Sequence, residues 1–212
     1  MSRPPRSAQA TTDLKDHILS ASRTILVNEG YEALSMRRLA REIGYSATAL
    51  YLYFENREAI VAELGRRGLE DLEKLMLPAL TLPPKDALRE LARQYLHFST
   101  GQPESYRVIF MQDSALADAM FRSQPGKDAG GAGQRVFGMI QSQFKQLVSG
   151  KDSAQHHAEV FWTSLHGIVS LKLTCEKFLQ TPATDLAAIA IEALLERVAP
   201  ASRRIQAEQS DG

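Results

Sequence analysis

Along the whole chain the apolar residues return every three or four positions, and nowhere do they alternate over the length of a strand. That spacing lines up side chains on one face of a helix and scatters them over both faces of a sheet, so it restricts the chain to an all-α fold. Leu14, Ile18, Ala21 and Ile25 make the first face, and Met36, Leu39, Ala40 and Ile43 the second. Ile60, Val61, Leu64, Leu72, Leu75 and Met76 make a longer one. Further helices are predicted at about 47–53 and 85–100, from Pro103, and at 114–122, 134–149, 154–180 and 184–198.

The residues between these faces are helix punctuation. Thr12 or Asp13 can cap the first helix and Gly30 can end it in the left-handed conformation. Ser35, Ser46 and Asn56 are good N-caps, and Gly44 stops the second helix after about two turns. Pro78, Pro83-Pro84, Pro182 and Pro200 interrupt the rest, and 123–133 is a Gly-rich internal loop. The predicted organisation is a disordered arm over 1–11, a three-helix head over 12–57, a larger helical bundle over 58–200 and a mobile tail over 201–212.

Composition removes several function classes. No apolar run approaches 18 residues, which excludes a membrane-spanning helix, and the polar N-terminal stretch holds no apolar signal core. A cytoplasmic location is therefore expected. Cys175 is the single cysteine, too few for a disulfide framework or a cysteine-based zinc site. There are 25 Lys+Arg and 25 Asp+Glu in 212 residues, so this is no basic coating protein of nucleic acid. The charge is uneven, however: residues 33–57 hold four arginines against two glutamates.

Within that window a short helix, a glycine-containing turn and a second short helix run from Ser35 to Phe54, the layout of a helix-turn-helix. Its second helix has to protrude to enter a major groove about 12 Å wide. Ser46 and Thr48 bring hydroxyls to it. Tyr51 and Tyr53 can lie against sugar and donate to phosphate. Arg37, Arg38 and Arg57 flank it, and four of the six tyrosines of the chain fall within 31–53. Tyr31 and Tyr45 read as core or hinge residues. Spacing alone leaves open an all-α protein–protein interaction module that never touches DNA.

The stretch from Ile18 to Leu64, and above all NEGYEALSMRRLAREIGYS and ALYLYFENREAI within it, resembles the DNA-binding head of the TetR family of bacterial transcriptional regulators. In the second half, the run Phe161-Trp162-Thr163-Ser164-Leu165-His166-Gly167-Ile168 is similar to the tryptophan-to-His-Gly stretch of one subgroup. The resemblance implies a homodimer that binds a palindromic operator in double-stranded DNA, usually as a repressor, and a body whose small-molecule effector switches DNA affinity. It implies DNA contacts at Ser35, Arg37, Ser46, Ala47, Thr48, Ala49, Tyr51, Tyr53 and Arg57. Ala47 and Ala49 can at most touch a thymine methyl, so base readout would lean on Thr48, Ser46 and DNA shape.

For the body, an apolar effector pocket is expected from Tyr95, Phe98, Tyr106, Phe110, Met111, Phe121, Phe137, Trp162 and His166; the same residues would also suit a packed core. A regulator of this family without a small-molecule ligand remains an alternative. The last two long helices are the dimerisation candidates, with Phe161, Leu165, Ile168, Leu186, Ile189, Ala190 and Leu194 as their apolar seam. No cofactor or metal is expected. His156 and His157 are neighbours and point apart on a helix, and no H-E-x-x-H, phosphate loop or G-x-S-x-G is present, so the chain does not read as an enzyme.

Overall fold

The computed structural model describes residues 8–111, 131–148, 151–175 and 177–198. Among them are nine α-helices and no strand: α1 (Ala8–Glu29), α2 (Met36–Glu42), α3 (Ala47–Tyr51), α4 (Arg57–Met76), α5 (Pro84–Gly101), α6 (Pro103–Phe110), α7 (Ala132–Leu147), α8 (Lys151–Thr174) and α9 (Ala183–Arg197). The all-α expectation holds. Single turns of 3-10 helix at Tyr31–Ala33 and Leu77–Thr81 follow α1 and α4. No helix among the described residues is long and apolar enough to cross a membrane.

Three boundaries differ from expectation. Helix α1 begins at Ala8, so residues 8–11 are helix rather than arm, and Thr12 and Asp13 lie inside it. Ala8, Gln9 and Ala10 are all good helix formers, which outweighs the polar character of the stretch. Helix α3 ends at Tyr51 instead of 53. Helix α8 ends at Thr174, six residues early. The Lys172 ammonium there donates to the Leu179 carbonyl at 2.6 Å, which folds the chain back before Pro182 can act as the breaker. The helix predicted at 114–122, most of the 123–133 loop, the tail 201–212 and Phe121 lie outside the described residues.

The chain divides into two compact units, one of residues 1–68 with 104–120, the other of 69–103 with 121–212. In the first, Ile18, Leu34, Leu39, Leu50 and Ile60 are fully buried. Gly68 lets α6 approach α4, since a Cβ there would lie 2.7 Å from Ile109 Cδ1. In the second, Leu72, Leu88, Leu91, Ile140, Phe144 and Phe161 form the core. Two forked ion pairs tie its helices: Arg89 to Glu192 at 2.6 and 2.8 Å, and Arg135 to Glu73 at 2.7 and 2.8 Å.

Helices α1 and α4 of the first unit are clasped by Glu63, whose carboxylate is only 12% exposed and meets Lys15 at 2.8 Å, Arg66 at 2.7 Å and Arg67 at 3.3 Å. Burial opposes its ionisation, but hydrogen bonds from Arg66 and Lys15 and their charges outweigh burial and hold its pKa at about 2, against 4.5 ordinarily. A carboxylate depressed in the folded state stabilises above its unfolded pKa, and the gain disappears as pH falls through the folded value. Glu63→Gln should therefore cost about 2 kcal/mol at neutral pH. The gap between variant and wild-type melting temperatures should narrow between pH 4.5 and about 2. A gap that stays constant over that range would remove Glu63 from the acid response.

Candidate nucleic-acid interface

The helix-turn-helix is built as its caps dictate. The Ser35 hydroxyl accepts the Arg38 N–H at 3.3 Å and starts α2. At the far end of α2 Gly44 takes φ 71°, a left-handed turn that a side chain would oppose. The chain closes there with the Tyr45 N–H donating to the Ala40 carbonyl at 2.9 Å. The Ser46 hydroxyl accepts from the Ala49 N–H at 3.2 Å and starts α3. Leu50 is the one buried residue of α3 and pins the helix to the unit. Phe54, just beyond, is buried as well.

Pinning Leu50 inward turns the rest of α3 outward. Ser46, Thr48 and Tyr51 are exposed, Tyr51 at 55%, while Ala47, Ala49 and Tyr53 are half-buried. Ser35 and Arg37 are exposed at the start of α2. Tyr45 was expected in the core or at a hinge; it is exposed at the tip of the turn. Leu52, 74% exposed beside Tyr51, was not singled out from sequence. The signal was its position two residues after Leu50, which faces it away from the core.

The four arginines of the window divide into two pairs. Arg37 and Arg41 are exposed and make no ion pair among the described residues. Arg38 and Arg57 are engaged: Arg38 forms a forked pair with Glu29, whose carboxyl is lowered by that hydrogen bond. Arg57 Nε donates to Glu58 at 3.1 Å, its Nη1 donates to the Leu34 carbonyl at 3.2 Å, and its guanidinium lies 4.4 Å from the centre of the Tyr31 ring. Hydrogen bonding to Glu58 raises the Arg57 pKa, and partial burial followed by the Glu58 hydrogen bond raises that of Tyr31.

The residues expected to line an effector pocket are partly assembled. Trp162 of α8 meets Tyr95 of α5 edge-on, centroids 5.4 Å apart, and Phe137 of α7 at 6.4 Å. His166, one turn beyond Trp162, is half-buried, and burial lowers its pKa, favouring the neutral imidazole. Phe98 is buried in the same unit. Tyr106, Phe110 and Met111 belong to the first unit, where the rings of Tyr106 and Phe110 pair at 4.8 Å.

The expected dimer seam needs correction. Phe161 and Leu165 are fully buried, with Phe161 against Phe144 at 6.1 Å, and cannot reach a second chain. Ile168, Leu186 and Ala190 keep partial exposure, and Ile189 is 67% exposed. The apolar residues that α8 and the following loop leave outside are Val160, Leu171 and Phe178. Leu194, itself buried, helps line a groove of about 400 Å³ with His156, His157, Val160, Ala190, Ala193 and Arg197.

Comparison with known proteins agrees with this layout. Residues 18–64 match the family model described as bacterial regulatory proteins, tetR family, and residues 88–198 match that of the tetracyclin repressor-like C-terminal domain. An HTH-type transcriptional regulator of Haemophilus influenzae is 39% identical over 59 residues, covering 28% of this chain and 32% of that protein, so the match spans about a third of that relative's length. An HTH-type transcriptional regulator of Mycobacterium tuberculosis is 28% identical over 178 residues, covering 70% of this chain and 76% of that protein. The structure also resembles the Thermus thermophilus repressor FadR in complex with lauroyl-CoA, with TM-score 0.61 at 15% identity over 86% of this chain and 93% of that one. At that identity the likeness speaks for the fold.

Proposed function

The chain belongs to the TetR family of DNA-binding transcriptional regulators, and on that footing we propose that it is a repressor, binding a palindromic operator as a homodimer and released by a small, largely apolar effector. The observation that carries this reading is the outward face of α3 and the start of α2. Ser46, Thr48 and Tyr51 stand exposed at the cap and along the outer face of α3, which Leu50 holds from behind, and Arg37 stands exposed at the start of α2. These are donors for phosphate, sugar and base edges on an element narrow enough for a major groove. In this reading residues 12–57 are the DNA-binding part and 58–200 the part that binds effector and partner subunit.

An effector reading rests on Tyr95, Phe137, Trp162 and His166, an aromatic group with one neutral polar anchor, the usual make-up of a small-molecule site. The FadR neighbour was solved with an acyl-CoA, which favours a ligand with a long apolar part. Release then follows from linkage: an effector that prefers a head spacing unsuited to DNA weakens DNA binding, and DNA weakens effector binding by the same factor.

Selection of bound fragments from the source genome, followed by titration of the winning fragment at several salt concentrations, tests the DNA reading. Affinity should fall steeply as salt rises. Tyr51→Ala should weaken binding about tenfold, and Arg37→Ala should also flatten the salt slope by about 0.9, the share of one phosphate. A chain that enriches no fragment even at low salt is not the regulator described here.

A further inference from the structure

The resemblance assigns Arg57 to DNA, but its surroundings assign it elsewhere. Its Nη1 donates to the Leu34 carbonyl at 3.2 Å, on the peptide directly before Ser35, the cap of α2. Its Nε donates to Glu58 Oε1 at 3.1 Å, and the Tyr31 hydroxyl donates to the same oxygen at 2.9 Å. The Tyr31 ring covers the guanidinium at 4.4 Å, and Glu32 stands 3.8 Å from Nη1. One side chain thus joins the first turn of α4, the 3-10 turn after α1 and the backbone leading into the helix-turn-helix. Leu34 itself is fully buried, so the carbonyl that Arg57 grips belongs to a residue already fixed in the core.

We infer that Arg57 is a positioning residue, which with Tyr31 and Glu58 locks the start of α4 to the backbone before α2 and so fixes where α3 stands, and that it does not serve as a phosphate contact. The inference rests on the DNA-binding reading for its functional consequence. Its physical basis is the fork. A planar guanidinium donates to a carbonyl and a carboxylate in fixed, divergent directions while its flat face stacks on a ring; an ammonium keeps the charge and loses that planar fork. Charge and geometry are therefore separable by substitution.

The test uses the 212-residue chain, wild type and four variants, with the selected operator fragment. Arg57→Lys should weaken operator binding about tenfold and leave the salt slope unchanged. A phosphate contact would behave in the opposite way: Arg57→Lys would bind like wild type, and Arg57→Gln would flatten the slope by about 0.9. Tyr31→Phe, a milder change, should weaken binding about threefold, and its effect should largely vanish in the Arg57→Lys background, because both act through one lock. Amide hydrogen exchange of Ser35 to Leu39 gives a readout that needs no DNA. Faster exchange there in Arg57→Lys and Tyr31→Phe supports the lock, and exchange identical to wild type overturns it. A wild-type chain that binds no DNA would sink the functional reading while the exchange result still decides whether the lock exists.

Discussion

Leu50→Ala should destabilise the first unit by about 3 kcal/mol and raise the operator Kd at least about a hundredfold. Five residues cannot hold a helix in water by themselves, since nucleation costs more than one turn returns. Helix α3 therefore takes its stability from what it is attached to. Its attachments are the Ser46 cap, worth about 1 kcal/mol, and Leu50, its one buried side chain. Removing the isopropyl group leaves a cavity where the fully buried Leu50 side chain stood, while Thr48 and Tyr51 lose the geometry that presents them. Far-UV circular dichroism at low temperature should change little, because so few residues are involved. The melting temperature and fluorescence-anisotropy binding should both drop clearly. An unchanged melt with intact operator binding would mean that α3 is held by something other than Leu50.

The parts legible in the sequence are those governed by neighbours along the chain. Ser35, Gly44 and Ser46 set the helix-turn-helix by local rules, and the structure places caps and a left-handed turn at those residues. What escaped depends on partners far away in sequence. Arg57 reads as a surface cation because nothing near it announces the Leu34 carbonyl, 23 residues back, or that Tyr31 bonds Glu58 across 27 residues. Helix α8 shows a different limit. Phe161, Trp162, Leu165, Ile168, Val169 and Leu171 surround the helix with apolar groups, so periodicity could not decide which side faces the core, and Phe161 and Leu165 were placed on the wrong one. Tyr106 and Phe110 show a third: spacing reveals that α6 has an apolar face but not which unit that face belongs to.

With Phe161 and Leu165 withdrawn, the proposed homodimer depends on the exposed side of α8 and α9, and two substitutions there should separate subunit association from folding. A Cβ added at Gly167 meets no side chain and no other element within 4 Å, so a side chain can leave the helix there without a clash at its root, and helix propensity rises. Across a packed subunit interface the same residue has no such room, and Gly167→Trp should force the subunits apart. Ile189, 67% exposed on α9, contributes nothing to its own core; Ile189→Asp should leave the fold intact and place an unpaired charge in the interface. Each variant should melt within about 1 kcal/mol of the stability expected for a monomer and sediment as one. The cost to DNA binding is larger than either change suggests. A palindrome offers half-sites one helical turn apart, and a dimer engages the second at the high effective concentration set by the first. Losing that linkage should weaken operator binding about a thousandfold although no DNA-facing residue has been touched. Sedimentation equilibrium alongside operator titration reads both effects. Dimers persisting in both variants would place the interface on another face, and monomers that bind the operator as tightly as wild type would mean that the palindrome is not read by two linked heads.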